Sequence, residues 1–375
     1  MVNVVDKLFR RLKAKPNEYF GGIHVIFGGD YRQCLHIIPG ATRGTITTTT
    51  VKSSKFWEHM IKFTLTKNLR ITPMTRKNQE YADFILRIGN NTADQHHHEH
   101  ESDLDPSITI PKDYMLRGNS VTDMINWMYP DIRKTVSVGL TEPNPTDNFA
   151  PKAKVHGPDF NAKGILTPKL LNVDEINNIA LDLMDGETRL LLSTDTPLQT
   201  IDPENYSDGI ISLMLDNISG MPKNVLKIKI GCVVILLRNV DQDRKLCNGT
   251  KLVVVRITPR LLTLQRVGTP HDVVYLPRWK IEAKNLPFRI ARIQFPIKLA
   301  FAFTINKSQG QSLKQVGVYL PQPVFSHGQL YVALSRAIHW AQMKILIEPT
   351  FVQGNIHSTG NYYTTNVVYD GILDT

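Results

Sequence analysis

The stretch at residues 299–313, with the sequence LAFAFTINKSQGQSL, constrains the fold of this chain more than any other. It begins as a continuous apolar run, which predicts a strand buried on both faces of a parallel sheet. Its second half carries polar side chains around a single glycine, Gly310. Because open α/β sheets bind ligands at the carboxyl ends of their strands, this pattern predicts a ligand site in an α/β fold. A core strand followed by an ordinary surface turn is the alternative that the stretch alone leaves open.

A second polar group follows an apolar run near the start of the chain. The run IHVIF at 23–27 predicts a short strand, and GGDYRQ at 28–33 follows it directly. Glycines let the backbone approach a ligand closely, and a glutamine side chain orients a water molecule without carrying charge. We therefore expect Asp30 and Gln33 to lie near a phosphate or an attacking water, although Gly-Gly-Asp by itself indicates only a turn.

Hydrophobic periodicity predicts helices and strands along the rest of the chain. Helices are expected near 1–16, around Phe56-Trp57, and at 81–88, 121–129, 172–185 and 328–336. Strands are expected at 63–66, 162–167, on both sides of Gly231 within 226–239, and at 251–257, 261–267, 273–276, 316–320 and 344–347. The proline-rich region 139–157 is expected to be a loop. The short strands around Asn248-Gly249 indicate a small β-barrel inserted into an α/β domain.

The positive charge of the chain is concentrated in one region. Residues 221–310 contain seventeen Lys or Arg and four Asp or Glu, whereas the whole chain has a formal net charge of +10. Concentrated positive charge in a folded region favours a polyanionic partner, most often nucleic acid, bound in a salt-dependent way. A solvated basic face without a partner is the alternative.

Composition argues against a membrane protein or a disulfide-rich secreted protein. No apolar run reaches the roughly 18 to 20 residues that span a membrane, and the amino terminus is too charged for a signal peptide. The three cysteines offer neither a disulfide framework nor a metal-binding spacing, which favours a reducing compartment. The run His96–His100 can take up zinc, but consecutive residues do not converge on one ion, so we expect a solvated loop over 91–105 and no metal site.

Four sequence blocks occur in an order and spacing that resemble a known set. The blocks are GGDYRQ (28–33), LTKNLR (65–70), FTINKSQGQSL (303–313) and YVALSRA (331–337). They resemble motifs three to six of the Pif-family DNA helicases, in the RecD-like branch of superfamily one, and especially the Helitron-type transposon helicases. Intervening blocks such as ADFILRIGN (82–90) and LTPKLLNVDEIN (166–177) resemble the same group, so the resemblance covers nearly the whole chain.

The resemblance implies an α/β fold with two RecA-like P-loop NTPase motor domains, the first one truncated, and a small β-barrel insertion in the second. It implies that ATP and Mg²⁺ bind between the domains, with hydrolysis driving 5′-to-3′ movement along single-stranded DNA or unwinding at duplex junctions. The implied boundaries place the carboxyl-terminal half of the first motor domain at 1–72 and connecting segments at 73–160. The second motor domain would occupy 161–242 and 300–375, and the basic barrel 243–299.

The resemblance also implies three groups of site residues, carried over position by position. The catalytic group is Gln33, Arg70 and Arg336. The nucleotide-binding group is Asp30, Gln309 and Gly310, and the DNA-binding group is Thr304, Lys307 and Ser308. The glutamine of the first group would sense the γ-phosphate, and its two arginines would reach the phosphates from the second motor domain. Duties in DNA repair, recombination and telomere maintenance, and a nuclear or alternatively mitochondrial location, follow from the same resemblance.

The sequence departs from the family in one important respect. A phosphate-binding loop needs G-x-x-x-x-G-K-[ST], and no such sequence occurs in these residues. The family's Asp-Glu pair, which holds magnesium, would precede the first residue. We therefore expect a carboxyl-terminal helicase fragment that does not hydrolyse ATP alone. The rival hypotheses are a non-catalytic remnant that binds single-stranded nucleic acid and a protein without activity or a stable fold.

Overall fold

The computed structural model describes most of the chain. The described residues are 2–38, 40–65, 75–93, 95–96, 105–134, 136–141, 152–198, 208–218, 220–269, 272–283, 286, 288–356, 358–369 and 371–373. Their α-helices are α1 (Val2–Leu12), α2 (Arg43–Thr48), α3 (Arg76–Gly89), α4 (Val121–Met128), α5 (Leu170–Leu183), α6 (Asp208–Asp216) and α7 (Gln329–Leu334). Short 3₁₀ helices lie at Tyr19–Gly22, Val51–Ser53, Trp57–His59, Lys112–Tyr114, Ile305–Ser308 and Trp340–Gln342.

The strands follow the same order along the chain. They are β1 (Gln95–His96), β2 (Ser107–Ile110), β3 (Ser137–Thr141), β4 (Lys152–His156), β5 (Lys163–Thr167), β6 (Arg189–Leu192), β7 (Thr194–Pro197), β8 (Val225–Ile228), β9 (Val233–Leu236), β10 (Lys251–Ile257), β11 (Leu261–Arg266), β12 (Val273–Pro277), β13 (Trp279–Glu282), β14 (Ile290–Gln294), β15 (Ile297–Leu299), β16 (Ala302–Thr304), β17 (Gln315–Leu320), β18 (Met343–Ile347), β19 (Gly354–Ile356) and β20 (Asn361–Thr365).

A parallel sheet in the order β16-β5-β17-β18 carries the predicted site stretch. Successive side chains alternate between its faces, so Ile165 joins the core under α4 and α5, and Leu166 joins the core under α3 and α7. Both faces are covered by helices, which is the arrangement that buries near-continuous apolar strands. The mixed α/β fold predicted from the sequence is confirmed.

The sequence analysis predicted one strand for the apolar run that opens the site stretch. The structure instead divides this run between two strands. Ile297–Leu299 pairs antiparallel with β9, whereas Ala302–Thr304 pairs parallel with β5. Between them, Ala300 and Phe301 are fully buried while the chain crosses from one sheet to the other. Continuous hydrophobicity reports burial alone, and for that reason it did not reveal that the run serves two sheets.

The basic region forms antiparallel sheets rather than a closed barrel in the described part of the chain. One sheet has the order β12-β11-β10-β9-β15, and a second has the order β13-β14-β7. Strands β8 to β12 lie at their predicted positions, whereas β7, β13 and β14 were not predicted. The predicted barrel is not confirmed. Because β9 begins at Val233, the antiparallel region starts before residue 243. The domain boundaries themselves stay a prediction.

The buried guanidinium of Arg292 ties the three-stranded sheet to α6. Its Nη2 lies 2.7 Å from Asp195 Oδ2, and its Nη1 also pairs with Asp216. A buried charge requires this kind of full pairing, because desolvation penalises an uncompensated ion strongly.

Residues 2–65 contain helix α1, as predicted, but no strand among the described positions. The prediction of a strand at 23–27 is wrong, and so is that of a strand starting at 63. The helix expected around Phe56 is replaced by short 3₁₀ turns. The apolar pattern is compatible with a strand, but a strand also needs a neighbour with which to share hydrogen bonds, and the described residues provide none here. Consequently Ile26 is 97% exposed, and Phe63 and Leu65 are also largely exposed.

Two expected loops contain strands. Gly139–Thr141 and Lys152–His156 belong to the antiparallel pair β3 and β4, so the loop predicted for 139–157 is wrong at both ends. The prolines that suggested a loop are concentrated at 143–151, between the strands. The loop predicted for 91–105 is likewise wrong at Gln95–His96, which pairs with β2, whereas residues 97–100 of the histidine run lie outside the described residues. Within the described part, no helix has both the length and the apolar character needed to cross a membrane.

Candidate functional site

The turn that follows β16 forms the centre of the candidate site. Thr304 pairs with Thr167 at the carboxyl ends of β16 and β5, and a 3₁₀ turn at Ile305–Ser308 follows immediately. The Ser308 hydroxyl is buried and donates to the Ile305 carbonyl over 2.6 Å, so it shapes the turn. Gly310 has a φ of 81°, a left-handed conformation that glycine adopts without strain. Lys307 and Gln309 are exposed on the same turn.

Arg336, predicted to reach a nucleotide phosphate, is 1% exposed and faces the inside of the same turn. Its Nη1 donates to the carbonyl oxygens of Gln311 (3.0 Å) and Ser308 (3.4 Å), while its Nε donates to Val332 (2.8 Å). These contacts fix the 308–311 backbone against the end of α7. A contact between this guanidinium and a phosphoryl group would require some of these carbonyl contacts to be exchanged.

The segment Asp30–Cys34 packs against α7, about 300 residues away in the sequence. Tyr331 donates its hydroxyl to Asp30 Oδ2 over 2.9 Å, and Gln33 Nε2 lies 3.4 Å from the same oxygen. The Arg32 backbone N–H donates to Asp30 Oδ1, and its Nε donates to Asn90 at the end of α3 over 2.6 Å. The Asp30 carboxylate therefore organises both its own loop and the contact with α7.

Residues at the amino-terminal end of α7 contact the backbone of the 30–34 loop. His327 Nε2 contacts the Tyr31 carbonyl over 2.6 Å, and His327 Nδ1 accepts from the Tyr369 N–H over 2.9 Å. Gly328 has a φ of 70°, and a Cβ at this position would lie 2.3 Å from the Arg32 carbonyl oxygen. The close approach of two backbone segments therefore requires a glycine here.

Amide side chains link the loop to the turn after β16. Gln309 Nε2 donates to the Cys34 carbonyl over 3.4 Å, and Gln329 Nε2 donates to Asn306 Oδ1 over 2.9 Å. Asn306 Oδ1 also lies 3.9 Å from Cys34 Sγ. The site thus joins three segments: the 30–34 loop, the 305–311 turn and helix α7.

Burial keeps several titratable groups of this site neutral near pH 7. It raises the pKa of the Cys34 thiol to about 12, although the nearby Arg336 charge opposes the shift. Burial, reinforced by the Asp30 carboxylate, raises the pKa of Tyr331 to about 12. Burial also lowers the pKa of His327, in agreement with the acceptor role of its Nδ1. Cys34 is therefore unsuited to act as a thiolate nucleophile.

The structure brings most of the predicted site residues into one region. Asp30 and Gln33 lie on the loop, and the positions from Thr304 to Gly310 lie on or beside the turn that contacts it. Arg70 lies outside the described residues. Sequence reasoning did not assign roles to His327, Tyr331 or Asn90, although the block around 323–336 could have drawn attention to the first two.

The described residues do not show a complete site for ATP and Mg²⁺. The sequence contains no phosphate-binding loop, and the described residues contain no group of three or more His, Cys, Asp or Glu side chains able to hold a metal ion. What they supply is a cluster that contains the Gln33 amide, the exposed Lys307 and Gln309 side chains and the buried Arg336 guanidinium. No hydrolytic step can be assigned to these residues alone.

Two family descriptions match separate parts of the chain. Residues 1–99 match "PIF1-like helicase", and residues 215–257 match "DNA helicase Pif1, 2B domain". The first match contains the 30–34 loop, and the second contains β8, β9 and β10.

Curated relatives carry the same family name. The ATP-dependent DNA helicase PIF1 of Danio rerio is 33% identical over 51% of this chain and 29% of its own length. The human PIF1 is 37% identical over 32% of this chain and 19% of its own length. The ATP-dependent DNA helicase Pif1 of Bdellovibrio bacteriovorus is 36% identical over 33% of this chain and 30% of its own. The matched region therefore spans less than a third of each of these relatives.

Solved structures share the fold over nearly the whole chain. The Pif1 helicase from Candida albicans is 21% identical, with a TM-score of 0.54 over 93% of this chain and 69% of that protein. The Bacteroides Pif1 bound to single-stranded DNA is 17% identical, with a TM-score of 0.55 over 98% of this chain and 74% of that protein. At these identities the likeness concerns the fold alone.

Proposed function

Because residues 1–99 match the PIF1-like helicase family and residues 215–257 match the Pif1 2B domain, we propose that this chain forms the carboxyl-terminal part of an ATP-dependent DNA helicase motor. The motor would use ATP and Mg²⁺ and move 5′-to-3′ along single-stranded DNA, unwinding duplex at junctions. This sequence by itself would not hydrolyse ATP, because it lacks the phosphate-binding loop.

The observation that carries the proposal is the convergence of two distant segments at one turn. The 30–34 loop lies in the part of the chain that matches the helicase family, and it contacts both α7 and the turn after β16. Motor proteins of this kind hydrolyse ATP between two domains, so residues that couple nucleotide and DNA must meet at such a junction. Positive charge in the neighbouring region 221–310 suits the phosphate backbone of DNA.

Within this proposal each group of residues has a distinct task. Gln33 would orient the attacking water, and Arg336 would reach the nucleotide phosphates by exchanging some of its contacts with the 308–311 carbonyl groups. Lys307, which is exposed, would contact DNA phosphates, while Thr304 and Ser308 would set the geometry of the turn. Arg70 would supply a second phosphate contact.

The test restores an upstream segment and measures hydrolysis. A chimera would join residue 2 to an amino-terminal segment, taken from a curated relative, that carries G-x-x-x-x-G-K-[ST] and an Asp-Glu strand. We expect the chimera to show DNA-stimulated ATP hydrolysis and to unwind forks with a 5′ tail, whereas the chain alone shows neither. Arg336→Ala in the chimera is expected to reduce hydrolysis by about 10³-fold or more, as loss of a phosphate-contacting arginine does elsewhere.

The matched control is Arg289→Ala, which removes an exposed arginine paired with Glu282 in the basic region. It should leave hydrolysis unchanged. A folded chimera that hydrolyses ATP equally well with and without Arg336 would refute the catalytic assignment. Hydrolysis by the chain alone would refute the inactivity of the fragment.

A non-catalytic protein that binds single-stranded nucleic acid is the second candidate function. It is favoured by the concentration of basic residues in 221–310 and by the absence of a phosphate-binding loop. This candidate predicts salt-sensitive DNA binding by the chain alone that survives Arg336→Ala, with no activity gained in the chimera. A Helitron-type origin, roles in repair, recombination and telomere maintenance, and a nuclear location are proposals that rest on the family resemblance.

A further inference from the structure

The Tyr331 side chain on α7 reaches the 30–34 loop through a gap beside the end of α3. Its hydroxyl donates to Asp30 Oδ2 over 2.9 Å and so joins residues 301 positions apart in the sequence. The ring passes Gly89, where an added Cβ would lie 2.7 Å from Tyr331 Cδ2 and 2.8 Å from Arg32 Cδ. A larger residue at position 89 would displace the ring, so this glycine keeps the path to Asp30 open.

The Asp30 carboxylate is held at both of its oxygens. Oδ2 accepts from the Tyr331 hydroxyl, and Oδ1 accepts from the Arg32 backbone N–H over 3.1 Å. Burial raises the pKa of Tyr331 to about 12, so the hydroxyl keeps the proton that it donates. Hydrogen bonds to a carboxylate are among the stronger ones in proteins, and one on each oxygen fixes the orientation of the group.

The fixed carboxylate determines which end of the Gln33 amide is available to solvent. Gln33 Nε2 lies 3.4 Å from Asp30 Oδ2, and a carboxylate accepts hydrogen bonds but donates none. The amide nitrogen therefore faces Asp30, and the amide oxygen Oε1 faces away from it. No described residue donates a hydrogen bond to this oxygen, and Gln33 is only half-buried, so a water molecule can reach it.

We propose that Tyr331 is a positioning residue for ATP hydrolysis, which holds Asp30 so that the oxygen of the Gln33 amide faces the attacking water. An oxygen in this place accepts a hydrogen bond from the water and leaves a lone pair of the water free to attack phosphorus. An amide nitrogen in the same place would donate to that lone pair and hinder the attack. This inference rests on the proposed function, since it requires the nucleotide and the water of a complete motor.

Tyr331 also connects the loop to the arginine that the proposed function uses. Arg336 follows α7 by two residues, and its Nε donates to the carbonyl of Val332, the residue next to Tyr331. A displacement of α7 therefore moves the hydroxyl that holds Asp30 together with the Arg336 guanidinium. The orientation of the Gln33 amide consequently depends on the position of this helix.

The first test measures the Gln33 amide in the chain itself. Nuclear magnetic resonance would follow the exchange of the Gln33 side-chain N–H protons with water, and Gln33→Ala would identify their resonances. Tyr331→Phe removes only the hydroxyl, and it should accelerate this exchange at least about tenfold, the ratio that corresponds to loss of a hydrogen bond to a carboxylate. Tyr319→Phe is the matched control, because it removes a hydroxyl that donates to the Glu348 carboxylate, outside the loop. It should leave the exchange unchanged.

The second test separates an effect through Gln33 from a general loss of structure. In the chimera described above, Tyr331→Phe should lower kcat for ATP hydrolysis about tenfold and leave KM for ATP unchanged, because Tyr331 acts on the attacking water rather than on substrate binding. The same substitution should have no further effect when residue 33 is already alanine, because Tyr331 acts through Gln33. Tyr319→Phe should leave both kinetic constants unchanged.

The outcomes distinguish failure of this inference from failure of the proposed function. Exchange of the Gln33 amide protons that is unchanged or slower in Tyr331→Phe would overturn the positioning role and leave the proposed function intact. An equal loss of kcat with Gln33 and with alanine at position 33 would overturn it as well, because the loss would then not pass through Gln33. A folded chimera that does not hydrolyse ATP would overturn both proposals.

Discussion

Substitution of Gly328 by alanine tests whether the 30–34 loop is seated on α7 as the structure shows. The φ of 70° at this position costs a residue with a Cβ about 1–2 kcal/mol. The added Cβ would also lie 2.3 Å from the Arg32 carbonyl oxygen and 2.7 Å from the Gln33 carbonyl carbon. Because the neighbouring atoms are backbone, the overlap cannot be relieved by turning a side chain, and overpacking of this kind costs a further ~1–3 kcal/mol.

Gly249→Ala is the control for the backbone term. Gly249 has a φ of 98°, and nothing lies within 4 Å of the position where its Cβ would be. We expect Gly249→Ala to lower the free energy of unfolding by about 1–2 kcal/mol and Gly328→Ala to lower it by about 2–5 kcal/mol. The difference between the two measures the close approach alone.

The assay is urea unfolding of both variants, combined with hydrogen exchange of the 30–34 amides. If the loop undocks before the core unfolds, Gly328→Ala should accelerate exchange in 30–34 while exchange in β5 and β17 stays slow. The reasoning fails if both variants lose the same stability within about 0.5 kcal/mol and the loop exchanges at the wild-type rate.

Two further predictions concern pH and buried charge. Burial holds the pKa of His327 below its ordinary 6.5, so the unfolded chain takes up a proton first as the pH falls. Stability should therefore fall between pH 7.5 and 5.5, and the fall should be smaller in His327→Gln; equal urea midpoint shifts in both proteins would contradict this. Arg292→Met leaves the Asp195 carboxylate without its buried partner and should cost about 3–5 kcal/mol in unfolding free energy. Arg289→Met removes an exposed ion pair and should cost about 0–1 kcal/mol, so similar losses in the two variants would show that the Arg292 pairing is not stabilising.

The linear sequence was sufficient to locate most strands of the parallel sheet and the helices that cover it. Strands β5, β17 and β18 and helices α4 and α5 lie within two residues of their predicted positions, because one-dimensional periodicity reports which face of an element is buried. The blocks around Gln33 and Gly310 also indicated the family whose description matches residues 1–99. The absence of a phosphate-binding loop is likewise a property of the sequence alone.

Predictions failed where a segment's structure depends on a neighbour. The apolar run at 23–27 has strand composition but no partner strand among the described residues, so it forms no strand and stays exposed. The prolines between 143 and 151 indicated a loop, although the flanking residues pair as β3 and β4. Hydrogen-bond partners of a strand lie elsewhere in the chain, and local composition does not identify them.

The stretch at 299–313 shows the division most clearly. Its sequence determined that an apolar run ends in a polar, glycine-containing turn, because burial and turn chemistry are local properties. Only the tertiary structure decided that the run is shared between two sheets, that the Arg336 guanidinium binds the carbonyls of the turn, and that the 30–34 loop reaches it. These contacts join residues up to about 300 positions apart, and they are selected by the packing of whole elements rather than by any pattern along the chain.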